Sequence, residues 1–321
     1  MLWIHFIIFL TSCILLYFSA EWVINSLIRV ARFLGWKEFV VAFFIMAFSS
    51  SLPNLFLGVF SAFQKIPQLS LGDIIGGNVI DLTLAIGLAT LFIKNGGIVS
   101  DSRLVQTSSF FVLISAILPL ILSLDKEISR LDGFLLIAFF FVYIFWLFAK
   151  KERFSKAYED IEKTPLFQQF KEFLIDLLKI IGGIFLLLLA TEGIIKSSQF
   201  FAEFFHLSLI FIGLLIVALG NALPETYLSI ISAKKGEGWM ILGNLMGSVI
   251  LPATLVLGVV ALICPIKNLE ISTIVVARIF LFLSAVFFFF FVRSDRKISK
   301  TEGIFLVIIY FLFFIAEILI K

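Results

Sequence analysis

The segments Ala47-Phe-Ser-Ser-Ser-Leu-Pro-Asn54 and Ala218-Leu-Gly-Asn-Ala-Leu-Pro-Glu225 are two versions of one phrase, set 171 residues apart. The same offset holds without a gap for Pro53 and Pro224, Ser61 and Ser232, Gly72 and Gly243, Gly76 and Gly247, and Gly87 and Gly258. Upstream it matches Glu21 with Glu192, Ser26 with Ser197 and Ala31 with Ala202. The chain is therefore one unit written twice, and each copy sets polar residues and a proline inside an otherwise apolar stretch.

How many times each copy crosses a bilayer decides what the duplication means. With 61% hydrophobic residues, 41 Phe and only 15% charged residues, the chain lies far from a soluble domain, which is about half apolar and about a quarter charged. Apolar runs long enough to span a hydrocarbon core fall near 2–20, 39–63, 70–93, 105–123, 132–149, 173–195, 208–233, 238–263, 272–292 and 303–320. The expectation is an all-α membrane protein of ten transmembrane helices, five per copy. An odd number per copy sends the second copy into the membrane from the opposite face, giving two inverted five-helix repeats. Only 7 of the 25 Lys and Arg residues fall on the side that would carry both termini, and 18 fall on the other. The positive-inside rule then places both termini outside the cell membrane and the central connector in the cytoplasm. The expected organisation is a first repeat over 1–149, a cytoplasmic linker over 150–171 and a second repeat over 172–321.

The first 20 residues do not read as a cleaved leader, because no Lys or Arg precedes the apolar run and Phe18 is a poor residue three before a cleavage point. The linker is far shorter than the roughly 50 residues of an independent domain. Its cluster Lys150, Lys151, Arg153 and Lys156 suits contact with anionic headgroups. Cys13 and Cys264 match no metal-ligand spacing and read as small packing residues.

The chemistry concentrates in spans 2, 3, 7 and 8. Ser49, Ser50, Ser51, Pro53 and Asn54 fall together in span 2, and Gly220, Asn221, Pro224 and Glu225 in span 7. Proline removes a backbone donor and clashes with the preceding turn, so broken helices are expected in spans 2 and 7, with freed carbonyls facing protein or a wet cavity. Hard cations take oxygen ligands, and here carbonyls, hydroxyls, amides and a carboxylate lie close along the chain. The Ser and Gly residues serve equally well as small contacts between helices. A mid-span carboxylate such as Glu225 costs several kcal/mol and is functional by default. In spans 3 and 8, residues 73, 77 and 81 share one helical face, as do 244, 248 and 252. That face carries Asp73, Gly77 and Asp81 in one copy and Asn244, Ser248 and Pro252 in the other. Asp81 is the mid-span acid. Asp73, near the start of its span, suits either an ion site or an interfacial, dipole-facing role. Glu21, Glu192, His5 and His206 read as residues near the interface.

With these residues in place, the chain resembles the sodium/calcium exchangers of the calcium/cation antiporter superfamily. That family carries paired motifs of the form Gly-Thr-Ser-Leu-Pro-Glu followed by Gly-Asn-x-x-Gly-Ser-x-x-x-Asn or Asp, and the resemblance covers nearly the whole chain. It implies ten spans, inverted halves and secondary-active cation antiport. It also implies that Glu225 is one of two central calcium-binding acids and that Ser50, Ser51, Asn221 and Ala222 occupy the Thr-Ser positions. Asp81 and Pro252 take the downstream positions. The chain departs from the pattern at Asn54, where the first acid would stand, and at Gly77, Pro252 and Asn221-Ala222. Glu225 and Asp81 would keep two negative charges, with one moved from span 2 to span 3.

The expected function is cation antiport by alternating access at a midplane site. Glu225 and Asp81 supply charge there, and Asn54, Ser50, Ser51, Asn221 and Ser248 supply neutral oxygens. The cargo would be Ca2+ and Na+, with protons as the alternative counter-ion, and the alternatives on the same fold are a proton-coupled or monovalent-cation exchanger and a transport-inactive relative. No cofactor and no nucleic-acid partner are expected beyond the ions and the lipid bilayer. No repeated filter loop suggests a channel, and no nucleophile, base and orienting group occur together as an enzyme would need.

Overall fold

The structure, a computed structural model, describes residues 2–33, 51–94, 96–149, 166–236, 238–269 and 271–319. Among the described residues the regular structure is helical apart from two three-residue strands, β1 (Gly97–Val99) and β2 (Lys297–Ser299). The first half contains α1 (Leu2–Phe33), α2 (Leu52–Phe63), α3 (Pro67–Phe92), α4 (Arg103–Leu122) and α5 (Arg130–Ala149). The second contains α6 (Leu166–Phe205), α7 (Leu209–Lys235), α8 (238–263), α9 (Ile271–Arg293) and α10 (Lys300–Leu319).

Among the described residues, nine of these helices are long and apolar enough to cross a membrane, and α2 is a 12-residue apolar helix. Much of the second expected span, including Ser49 and Ser50, lies outside the described residues, and so does the ground on which its break would be judged. What is described is that α2 starts directly after Ser51, with Pro53 in its first turn, where a missing N–H costs nothing. Two helices overrun the apolar runs that announced them. The 32-residue α1 continues to Phe33, and the 40-residue α6 begins at Leu166, within the stretch expected to be linker. Both carry polar residues at their ends, which lets a helix continue past the hydrocarbon.

The break expected in span 7 is corrected: Pro224 lies inside a helix that runs over Ala218–Lys235. One proline withholds a single N–H, leaving the Gly220 carbonyl without its helical donor while the turns on either side hold. The departure from α geometry comes earlier, as a π-helical stretch over Ile212–Val217. Two more π stretches occur at Asp81–Ala85 and Pro252–Val256, equivalent positions of the two halves. There the Thr83 hydroxyl donates to the Val79 carbonyl and the Thr254 hydroxyl to the Ile250 carbonyl, supporting backbone oxygens where the i→i+4 ladder loosens.

Contacts recur between the halves in matched pairs. A methyl on Gly87 would lie 2.6 Å from the Gly303 carbonyl oxygen, and one on Gly258 would lie 2.7 Å from that of Gly133, so α3 crosses α10 as closely as α8 crosses α5. The β1–β2 pair ties the loop after α3 to the loop after α9. An Ile128–Ile266 bridge ties the loop after α4 to the loop after α8. At the start of α5 the Asp132 carboxylate accepts from the Ser129 backbone N–H at 2.8 Å, and at the start of α10 Glu302 accepts from that of Ser299 at 2.7 Å. Helices α1 and α6 pack along each other antiparallel. Arg29 pairs with Asp176 at 2.7 Å near one end, and His5 stacks on Phe200 with ring centroids 3.9 Å apart near the other. Position 5 corresponds to 176 and position 29 to 200, so the two contacts are the same pairing made twice.

The most enclosed helices are α3, α7 and α8, whereas α1 and α6 leave most of their surface outward. The apolar interior divides accordingly. One cluster joins α3–α5 with α7–α10, and a smaller one joins α1, α2 and α6 to one face of α3 and α7. Outward-facing Trp3, Phe145, Phe185, Phe290 and Leu319 are more than half exposed, as lipid-facing side chains must be.

Candidate functional site

Small residues bring α3 and α7 together backbone to backbone. A methyl on Gly72 would stand 2.1 Å from the Ile210 carbonyl oxygen, one on Gly76 2.1 Å from that of Leu214, and one on Gly213 2.4 Å from that of Leu69. Any side chain at these places would push the helices apart. The approach sets the acidic face of α3 beside the Asn221–Glu225 turn of α7.

Between them lies a cavity of ≈ 20 Å³, about the space of a single water or ion. From α3 it is lined by Asp73, Gly77, Asn78 and Asp81, and from α7 by Asn221, Ala222 and Glu225. Asn54 of α2 and Ser248 and Pro252 of α8 complete the polar wall, with Ile74 beside them. No Lys, Arg or His is among these residues. Asp73 and Asp81 are only 3% and 4% exposed.

The hydrogen bonds give each acid a different setting. Nδ2 of Asn221 donates to both Asp73 oxygens, at 3.0 and 3.1 Å, and to Oδ1 of Asn54 at 3.2 Å. Ser248 Oγ donates to Asp81 Oδ2 at 2.6 Å. The other Asp81 oxygen, Oδ1, and Glu225 Oε2 are buried without a hydrogen-bond partner. Among the described residues, no three His, Cys or acidic side chains converge on one point. The carboxylates are spread round the wall, with amide and hydroxyl oxygens between them.

Of the expected site residues, Glu225, Asp81, Asn54, Asn221 and Ser248 are brought together on this one cavity. Ser51 is buried with an unpartnered hydroxyl but does not line the cavity, and Ser50 lies outside the described residues. Two further lining residues are Asn78, which was not foreseen, and Asp73, which the sequence left open between an ion site and the interface. The signal for Asp73 was present in its four-residue spacing from Gly77 and Asp81, but its place near the start of a span suggested the interface. Its counterpart in the second copy, Asn244, lies off the cavity and keeps a buried Nδ2 without a partner. Glu192 lies away from the cavity, accepting from Gln64 at 2.7 Å and pairing with Lys196 at 3.0 Å, and Glu21 is exposed.

Residues 4–149 and 176–319 match the family model described as sodium/calcium exchanger protein. The sodium/calcium exchanger MaX1 of Methanosarcina acetivorans is 24% identical over 98% of this chain and 99% of its own length. The membrane protein MJ0091 of Methanocaldococcus jannaschii is 27% identical over 94% of each chain. Among solved structures, the sodium-calcium exchanger NCX_Mj soaked with 2.5 mM Na+ and 10 mM Sr2+ superposes with a TM-score of 0.62 at 26% identity, covering 97% of this chain and 98% of that one. The two matched segments cover most of the chain and include every residue of the cavity wall, and the chain belongs to the sodium/calcium exchanger family of membrane cation antiporters.

Proposed function

We propose that the chain exchanges Ca2+ for Na+ by binding them in turn in the cavity between α2, α3, α7 and α8. The observation that carries this reading is the cavity wall itself, which holds buried acidic oxygens and no cationic side chain. A carboxylate taken out of water needs a counter-charge, and an entering cation supplies it. Oδ1 of Asp81 and Oε2 of Glu225 have no competing donor and are the first oxygens to meet the ion. Ca2+ takes six to eight oxygens. The amide oxygens of Asn54 and Asn78, the Ser248 hydroxyl and water add to the two carboxylates, offsetting the oxygens that Gly77, Ala222 and Pro252 do not provide. A cavity of one-ion size favours sequential over simultaneous occupancy, the basis of exchange.

In this reading the chain forms ten spans as two inverted five-helix repeats, with both termini outside and the central connector in the cytoplasm. The antiparallel packing of α1 on α6 supports inversion, because two copies related by an axis normal to the membrane would run parallel. Ser50 and Ser51 remain, in this reading, neutral oxygen donors to the transported ions. The α1–α6 pair, which meets α2 and one face of α3 and α7 through a separate, smaller apolar cluster, is the unit that slides so that the site opens to one side at a time.

The test is calcium uptake into sodium-loaded proteoliposomes. Uptake should depend on the outward sodium gradient and vanish in Glu225→Gln. Uptake that ignores sodium and follows a pH gradient would make protons the counter-ion. Single-channel currents that need no counter-gradient would make the protein a pore.

A further inference from the structure

We infer that Asp73 is a third acidic ligand of the transported cation, drawn in with Asp81 and Glu225 as the ion enters because the three carboxylates stand apart around the wall, and that the Asn221 amide holds it in place until then. The inference rests on the reading of the cavity as the ion site and deepens it by assigning the charge the ion meets.

Asp73 is not a surface residue of a helix end. It lies in the second turn of α3, 3% exposed, on the cavity wall, at a point where Gly72 and Gly76 press the helix against the α7 backbone. A carboxylate so placed demands a partner. Its partner is a neutral amide: Asn221 Nδ2 stands 3.0 and 3.1 Å from its two oxygens. A carboxylate can only accept, so this contact fixes which end of the Asn221 side chain faces it. The same nitrogen reaches Asn54 Oδ1 at 3.2 Å, which commits both of its protons. The amide thus compensates Asp73 only with dipoles, and no cationic side chain lines the cavity. A cation in the cavity is a stronger partner than an amide N–H. When it takes the Asp73 oxygens, Asn221 is released to turn its own oxygen to the ion, so one side chain changes from donor to ligand as the site fills.

The wall then holds three negative charges, from Asp73, Asp81 and Glu225. The cargo selected by such a wall is the more highly charged one. Because Coulomb attraction scales with ionic charge, removing one wall charge weakens a divalent ion by about the square of the factor by which it weakens a monovalent one. A loss of about ten-fold for Na+ would accompany a loss of about a hundred-fold for Ca2+.

The experiment measures equilibrium binding of radiolabelled Ca2+ and Na+ to the full-length protein purified in detergent. It compares wild type with Asp73→Asn, which keeps size and removes charge, and with Asp73→Ser in case the first does not fold. The expected result is a much larger loss for Ca2+ than for Na+, near the squared ratio. Unchanged affinity for both ions would overturn the inference, and equal losses would overturn it too by making Asp73 a structural residue only. If wild type binds neither ion, the reading of the cavity itself falls, and this inference with it. Binding of both ions to wild type with no effect of Asp73→Asn removes the inference alone.

Discussion

Gly72→Ala offers a test of the site's construction that changes none of its ligands. The added methyl would stand 2.1 Å from the Ile210 carbonyl oxygen, 1.3 Å short of the 3.4 Å at which ordinary contact begins, and its other near neighbours are also backbone atoms. Neither side can yield by rotating a side chain, so α3 and α7 must separate. A displacement of that size carries the 3.0 and 3.1 Å contacts between Asn221 and Asp73 beyond hydrogen-bond range. Overpacking costs about 1–3 kcal/mol. Leaving a buried carboxylate without its donor costs about 1.5–3 kcal/mol more. Alanine's better helix propensity returns about 1 kcal/mol. The net destabilisation is about 2–5 kcal/mol. Gly77→Ala, five residues along the same helix, is the control for stability alone, since a methyl there meets nothing within 4 Å and collects the propensity gain, although it lines the cavity and is no control for uptake. Thermal unfolding of the detergent-solubilised protein should show a Tm for Gly72→Ala lower by about 5 °C or more than for Gly77→Ala. Sodium-driven calcium uptake should be lost in the former. Equal Tm values with normal uptake in Gly72→Ala would refute the claim that this backbone contact builds the site.

Asp81→Asn should abolish sodium-driven calcium uptake as completely as Glu225→Gln, whereas Ser248→Ala, which removes the 2.6 Å bond to Asp81, the 3.0 Å bond to the Leu245 carbonyl and one neutral ligand oxygen but no charge, should weaken calcium binding by about ten-fold, read by the same equilibrium assay. Arg29→Ala strands Asp176, whose side chain is 5% exposed, and should lower stability by about 1–3 kcal/mol; Lys179 at 3.8 Å softens the loss, and exchanging the charges as Arg29→Asp with Asp176→Arg should recover part of it in thermal unfolding. Gln64→Glu sets a second carboxylate against Glu192, so the α2–α6 contact at 2.7 Å should open and uptake rates should change while equilibrium calcium binding does not.

Much of this architecture was legible because the bilayer leaves few options. Apolar runs and the gapless offset mark the spans, and four-residue spacing together with the family resemblance picks out Asp81, Glu225, Asn54, Asn221 and Ser248, but that these five line one cavity is legible only in the structure. Asp73 was harder, because depth in a membrane depends on how a helix is tilted and where it begins. With α3 starting at Pro67 and spanning 26 residues, a position six beyond the start is already enclosed. Asn78 lies next to Gly77 and three residues before Asp81, and only the closeness of α7 tells which neighbours of that face are drawn in. Pro224 misled in the other direction. A proline announces a missing donor, but neighbouring helices decide whether the backbone breaks or continues, and around Pro224 it continues. The π stretches leave no composition mark at all, since they are a property of hydrogen-bond register and not of residue type.

Those π stretches carry a record of the protein's history. A π turn accommodates one residue more than an α turn, so inserting a single residue into an α-helix is one way to make one. Asp81–Ala85 and Pro252–Val256 stand at corresponding places, and no gap interrupts the alignment of the copies from Gly72 to Gly87 and from Gly243 to Gly258. Had the extra residue entered after the halves separated, one copy would be out of step with the other. The simplest chronology puts the insertion in a single ancestral half, before that half was copied and joined to itself, so the π register beside the cavity would be older than the two-fold molecule that now surrounds it.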